Sequence, residues 1–182
     1  MPVRLKSDQV ICEPIRCLLS DVDGVLTDGR IIYTSEGHES KEFHARDGLG
    51  IKRWMQSGLP FGIITARSSP IVSRRCEELG VTHVVQASRD KLQDAHAIAE
   101  TVGCTLGQMA YIGDDQPDVK LLREVGLAAV PADAARDAKQ AAHWILKTDG
   151  GAGVVRELIE RIMRAQATWE LESDRLKPDQ SA

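Results

Sequence analysis

Residues Cys17-Leu18-Leu19-Ser20 form an apolar run that stops abruptly on Asp21-Val22-Asp23-Gly24. A short buried strand followed at once by two acids and a glycine restricts the fold sharply. It sets paired negative charge at the carboxyl end of a strand, the edge at which open α/β sheets bind ligands. Two carboxylates held that close repel each other unless a cation or a shared proton settles them. The simplest partner is a divalent metal ion.

The chain that follows alternates strand and helix signals. Apolar runs at 61–65, 81–85, 109–112, 127–130 and 143–146 read as buried strands. Between them, helical spacing predicts helices over 47–58, 69–80, 90–102, 119–125 and 134–141, with a closing helix from 154 to about 166. Asp47 is placed to cap the first of these, Ser69-Pro70 opens the second, and Gly58, Gly80 and Gly103 stop three of them. This pattern predicts a doubly wound, Rossmann-like α/β fold on a parallel sheet. One stretch interrupts the alternation. Extended segments at 30–34 and 39–44 flank the turn Ser35-Glu36-Gly37-His38 and read as a β-hairpin insert. Such a ribbon does not stand alone in water, and its Ile31/Tyr33 face needs a partner surface.

A length of 182 residues suits one catalytic domain spanning 1–182, with a core over about 17–167, the hairpin over about 29–44 and a polar tail over about 168–182. The formal net charge of −4 gives no reason to expect nucleic acid or an anionic membrane. No apolar run approaches a membrane span, and residues 1–16 lack a signal-peptide core, so the chain reads as cytoplasmic. Cys12, Cys17, Cys76 and Cys104 have no metal-binding spacing and read as structural thiols, and the five histidines read as structural too.

In a parallel sheet all strand ends point to one edge. That edge collects Asp21 and Asp23, Thr65 after the second core strand, and Asp114, Asp115 and Asp118 after Met109-Ala110-Tyr111-Ile112. Lys91 sits at the start of the helix after Val84. The ordered set Asp21-Val22-Asp23-Gly24, Ile63-Ile64-Thr65, Lys91 and Gly113-Asp114-Asp115-Gln116-Pro117-Asp118 resembles the four motifs of the haloacid dehalogenase superfamily of phosphatases. The resemblance implies a phosphomonoester hydrolase that uses Mg²⁺, held by Asp21, the Asp23 carbonyl and Asp114. It implies Asp21 as nucleophile through an aspartyl-phosphate, Asp23 as proton shuttle, and Thr65 as donor to the phosphoryl group. Lys91 would offset charge, and Asp115 and Asp118 would orient waters and Lys91.

The large cap domains of that superfamily are absent from the pattern. The runs through Asp28-Gly29, Phe43-His44-Ala45-Arg46-Asp47-Gly48 and Ile64-Thr65-Ala66-Arg67 are similar to the 3-deoxy-D-manno-octulosonate 8-phosphate phosphatases, with relatives acting on nine-carbon sugar-acid 9-phosphates. That resemblance implies a sugar-acid phosphate substrate, a place in lipopolysaccharide biosynthesis and a homotetramer built through the hairpin. It also implies Arg46 and Arg67 at the substrate, with Gly151 offering backbone amide near an anion. One departure stands out: Gly150-Gly151-Ala152-Gly153 carries Ala152 where that family has arginine. Three readings compete. A calcium loop needs an acid where Ile32 stands and a flanking helix where a strand runs. A phospho-aspartate receiver module needs its lysine last, whereas Lys91 precedes Asp114. A catalytically weak assembly subunit would use only the hairpin face.

Overall fold

The computed structural model describes residues 7–169. Its elements in chain order are α1 (Asp8–Cys12), β1 (Cys17–Ser20), β2 (Ile32–Tyr33), β3 (Glu39–Ser40), α2 (Ala45–Gln56), β4 (Phe61–Ile64), α3 (Pro70–Leu79), β5 (His83–Val85) and α4 (Lys91–Val102). After them come β6 (Met109–Ile112), α5 (Val119–Glu124), β7 (Leu127–Val130), α6 (Arg136–Ala141), β8 (Trp144–Ile145) and α7 (Val154–Ala165). Short 3₁₀ turns, Leu106–Gln108 and Gln116–Asp118, precede β6 and α5.

Six strands form one parallel sheet in the order β5-β4-β1-β6-β7-β8. β1 is central: Leu18 pairs with Phe61 on one side and with Ala110 on the other. The chain winds outward from β1 in both directions, so the crevice beside its carboxyl end is the topological switch point. Successive strand residues divide between two apolar layers. Leu18, Ile63, Ala110 and Ile112 join α2, α3 and α7 through Ile51, Trp54, Val72, Leu158 and Ile162. Cys17, Leu19, Ile64, Met109 and Tyr111 join α4, α5 and α6 through Ala95, Ile98, Leu121 and Ala138. Sheet residues buried on both faces explain the continuous apolar runs in the sequence. The hairpin is a separate two-stranded antiparallel sheet, Ile32 opposite Ser40 and Tyr33 opposite Glu39.

Several boundaries differ from the sequence reading. Helix α2 starts at Ala45, and its cap is His44, whose Nδ1 accepts from the Arg46 amide at 3.1 Å. Asp47 lies inside the helix and accepts instead from the Arg156 amide at 2.8 Å. The reason is long-range: α7 begins after Gly153, which has no side chain to cap it, and Asp47 supplies the missing acceptor from a different helix. The hairpin strands are two residues each, α6 starts at Arg136, and α1 was not foreseen. Pro117 favours a 3₁₀ turn ahead of α5. The guanidinium groups of Arg53 and Arg156 lie over the Trp169 ring, 4.3 and 4.6 Å from its centre. The remainder of the expected tail, 170–182, lies outside the described residues. Among the described residues no helix is long and apolar enough to cross a membrane.

Candidate active site

The sheet's switch point brings the acidic motifs together. Asp21 leaves β1 and Asp114 leaves β6 just after their adjacent strands end, and Asp118 closes the turn that follows. Carboxylate oxygens of Asp21, Asp114 and Asp118 lie within 4.8 Å of one another. Their close approach depends on Gly24. With φ of +87° it turns the backbone tightly, and a Cβ there would overlap the Asp114 carboxylate.

Lys91, buried at the first turn of α4, ties the cluster. Its ammonium is 2.7 Å from Asp21 Oδ2 and 2.6 Å from Asp118 Oδ1. Asp118 is fully engaged: Oδ1 also accepts from Tyr111 Oη at 2.5 Å, and Oδ2 accepts from the amides of Asp114 and Asp115 at 2.9 and 3.1 Å. Asp118 therefore organises the motif and has no lone pair to spare for an ion. Asp21 Oδ1 accepts from the Val22 amide at 2.7 Å. The Asp114 carboxylate accepts no hydrogen bond among the described residues.

This bonding leaves a charge deficit. Three carboxylates face one ammonium, and burial disfavours their charged forms. Burial lifts the Asp21 carboxyl to about 6, Lys91 pulling it down and Asp118 pushing it up. Burial, then Asp21, Asp118 and Asp115, lift Asp114 to about 7. Burial works against the Lys91 ammonium, but Asp21 and Asp118 outweigh it and hold the group above its ordinary range. Two more positive charges would balance the cluster, and the open oxygens are hard carboxylate donors. The residues present fit a divalent cation held by Asp21 and Asp114, with the Asp23 carbonyl free of any described donor.

The remaining sequence candidates fall in different places. Thr65 is buried at the end of β4, and its hydroxyl oxygen accepts from the Arg67 amide at 3.3 Å. Arg67 reaches back over the site: its guanidinium donates to Glu39 Oε1 at 2.7 Å, and its Nε lies 3.7 Å from Asp23 Oδ2. Asp115 departs from expectation. It is exposed, caps the 3₁₀ turn through the Gln116 amide at 2.7 Å and makes no bond to Lys91. Arg46 is exposed and lines a groove of about 610 Å³ with Ala152, Gly153 and Arg156, a groove whose lining includes none of Asp21, Asp23, Asp114 and Asp118. The expected free amide of Gly151 is not free. It donates to Val25 O at 2.9 Å, and with φ of +70° Gly151 lets its loop press against Thr27 and Asp28. Its work here is to brace the loop that carries Asp21 and Asp23.

Sequence reasoning missed three groups. Lys41 places its ammonium on Asp23 Oδ1. Glu39 bridges Arg67 and Ser69 Oγ, the latter at 2.8 Å. Tyr111 is hidden inside an apolar strand run. The available signal for the first two was spacing: Glu39 and Lys41 are two residues apart in an extended segment, hence on one face.

The model for haloacid dehalogenase-like hydrolases matches residues 80–158, the part carrying Lys91 and the second acid group. Over 156 residues the chain is 41% identical to the 3-deoxy-D-manno-octulosonate 8-phosphate phosphatase of Yersinia pestis, covering 86% of this chain and 83% of that protein. The chain belongs to the haloacid dehalogenase superfamily phosphatases. Its Haemophilus influenzae relative of the same name is 38% identical over 154 residues, 85% of this chain and 86% of that one. Among solved structures, the Moraxella catarrhalis 3-deoxy-D-manno-octulosonate 8-phosphate phosphatase, in complex with magnesium, phosphate and the sugar acid, superposes with a TM-score of 0.87. It is 40% identical, covering 90% of this chain and 94% of that one. This haloacid dehalogenase superfamily phosphatase thus shares its overall fold with the Moraxella catarrhalis enzyme.

Proposed function

We propose that the chain is a Mg²⁺-dependent phosphomonoester hydrolase that releases phosphate from 3-deoxy-D-manno-octulosonate 8-phosphate. The observation that carries this reading is the charge deficit around Lys91: an ammonium joined to two of three clustered carboxylates, with Asp114 left open. Mg²⁺ held by Asp21, Asp114 and the Asp23 carbonyl would screen the charge of the incoming phosphate and polarise its oxygens. Asp21, its carboxylate turned by Lys91 and the Val22 amide, attacks phosphorus and forms an aspartyl-phosphate. Asp23 gives a proton to the departing alcohol and later takes one from the water that hydrolyses the intermediate. Lys91 and the Thr65 hydroxyl steady the transferring group. Arg67, close above Asp23, suits the sugar acid's carboxylate or hydroxyls as a planar fork.

The exposed face of the hairpin supports assembly. Ile31, Ile32 and Tyr33 are 51%, 42% and 64% exposed, apolar surface on the ribbon that a second copy would cover. A homotetramer formed through this ribbon is the arrangement proposed. One observation favours a second substrate reading. Ala152 stands where the octulosonate enzymes have an arginine, and this departure supports a nine-carbon sugar-acid 9-phosphate as the alternative substrate. Phosphate release measured on eight- and nine-carbon sugar-acid phosphates beside simple esters tests both. The expected result is selective turnover of one sugar-acid phosphate, abolished in Asp21→Asn. Turnover retained in that variant overturns the mechanism, and an unselective profile overturns the substrate.

A further inference from the structure

We infer that Lys41 is the positioning residue that decides which oxygen of Asp23 handles the proton, an assignment resting on the phosphatase reading above. Lys41 follows β3 of the hairpin, yet its side chain is only 1% exposed. A buried ammonium persists only where carboxylates surround it. Here they are Asp23 Oδ1, in direct contact, and Glu39 Oε1 at 3.8 Å. Glu39 is fixed in turn by Arg67 at 2.7 Å and Ser69 at 2.8 Å. The hairpin therefore delivers a held cation to one oxygen of Asp23 and leaves the other, Oδ2, buried without a hydrogen-bond partner. Arg67 Nε, 3.7 Å from Oδ2, is also buried and without a partner. The two groups thus sit side by side with hydrogen-bonding capacity unused.

The consequence is a fixed division of labour within one carboxyl group. Oδ1 is anchored, which sets the rotation of the carboxylate plane. Oδ2 carries the proton. In the first step the Asp21 oxygen–phosphorus bond forms, the bond from phosphorus to the alcohol oxygen breaks, and the Oδ2 proton goes to that alcohol oxygen. In the second step Oδ2 takes a proton from water, the water oxygen bonds to phosphorus, and the Asp21–phosphorus link breaks to give inorganic phosphate. The proton gained in the second step is the one delivered in the next turnover, so the cycle closes. Misplacing a reacting group by even about 1 Å costs on the order of 100-fold in rate.

The test compares two esters in wild type, Lys41→Met and Lys41→Gln. An alkyl ester, the sugar-acid phosphate the wild type turns over, needs its alcohol protonated as it leaves. The p-nitrophenyl ester departs as a stable phenolate and does not. The quantity read is kcat/KM, which covers steps up to the aspartyl-phosphate, with KM recorded separately. Lys41→Met is expected to lower kcat/KM on the alkyl ester by about 100-fold through kcat, and on the aryl ester by at least tenfold less than that. Lys41→Gln keeps a donor for Oδ1 and should fall less than Lys41→Met on the alkyl ester. Equal losses on both esters overturn the assignment, as does a loss confined to KM. Where Lys41→Met melts below the assay temperature, Lys41→Gln carries the same comparison. Wild type that hydrolyses neither ester overturns the phosphatase reading itself, a result separate from both.

Discussion

Asp118 and Tyr111 show how one buried residue disciplines several others. The Asp118 carboxylate receives Lys91, the Tyr111 hydroxyl and two backbone amides, so it fixes the lysine's ammonium and the backbone from which Asp114 departs. Tyr111 is wholly buried, and burial followed by the Asp118 charge holds its phenol well above the ordinary range, so it serves as a neutral donor. Tyr111→Phe removes one bond to a charged acceptor in a closed site. The expected cost is about 1.5–3 kcal/mol in denaturant unfolding, with a fall in turnover as Lys91 loosens. A variant as stable as wild type contradicts this account. Much of this residue-level detail was readable beforehand: Asp21, Lys91, Asp114 and Asp118 do meet. Tyr111 was not readable, because a tyrosine inside an apolar strand looks like core until its hydroxyl partner is located.

Among the elements, the hairpin carries the most function per residue. Glu39 and Lys41 turn to Asp23 and Arg67, Tyr33 lies opposite Glu39 and its side chain bonds Arg67, and Ile31 and Ile32 remain half exposed. Ile31→Ser with Ile32→Ser is expected to lower the molar mass seen in sedimentation, and to lower turnover where a neighbouring copy covers the site. An unchanged mass at micromolar protein contradicts assembly through this ribbon. The sequence showed the hairpin by its turn chemistry but not its inward face, since two polar residues in an extended segment look like a solvated edge. Strands and helices of the core were legible because the apolar runs are unbroken and the stops are glycines. Helix α2 was misplaced at its start because the acid beside it, Asp47, serves α7 through a contact more than a hundred residues distant in sequence.

At the scale of the whole molecule, the buried acids set its response to pH and metal. Burial lifts Asp21 and Asp47 to about 6 and Asp114 to about 7. The metal-free fold binds these protons more tightly than the unfolded chain does. Their stabilisation is complete at low pH and lost as pH rises through 6 and 7. Acids held below their ordinary range, such as Asp8 and Glu39, lose their contribution only further down the scale and do not offset this loss. The melting temperature of metal-free protein is therefore expected to fall between about pH 5 and 7.5. Excess Mg²⁺ competes with protons for Asp21 and Asp114, so it should raise the melting temperature more at the upper pH than at the lower. Equal shifts at both contradict the proposed ligands. The central position of β1 has a further consequence, for synthesis. β1, which carries Asp21 at its end, leaves the ribosome early, and Phe61–Ile64 and His83–Val85 can pair on one side of it. Its other edge stays open until Met109–Ile112 emerges. During that interval the growing chain holds half a sheet with an unpaired apolar border, the species most prone to wrong association. The last acids to arrive both seal that border and complete the cluster, so a chain stalled before them has neither a finished sheet nor a site.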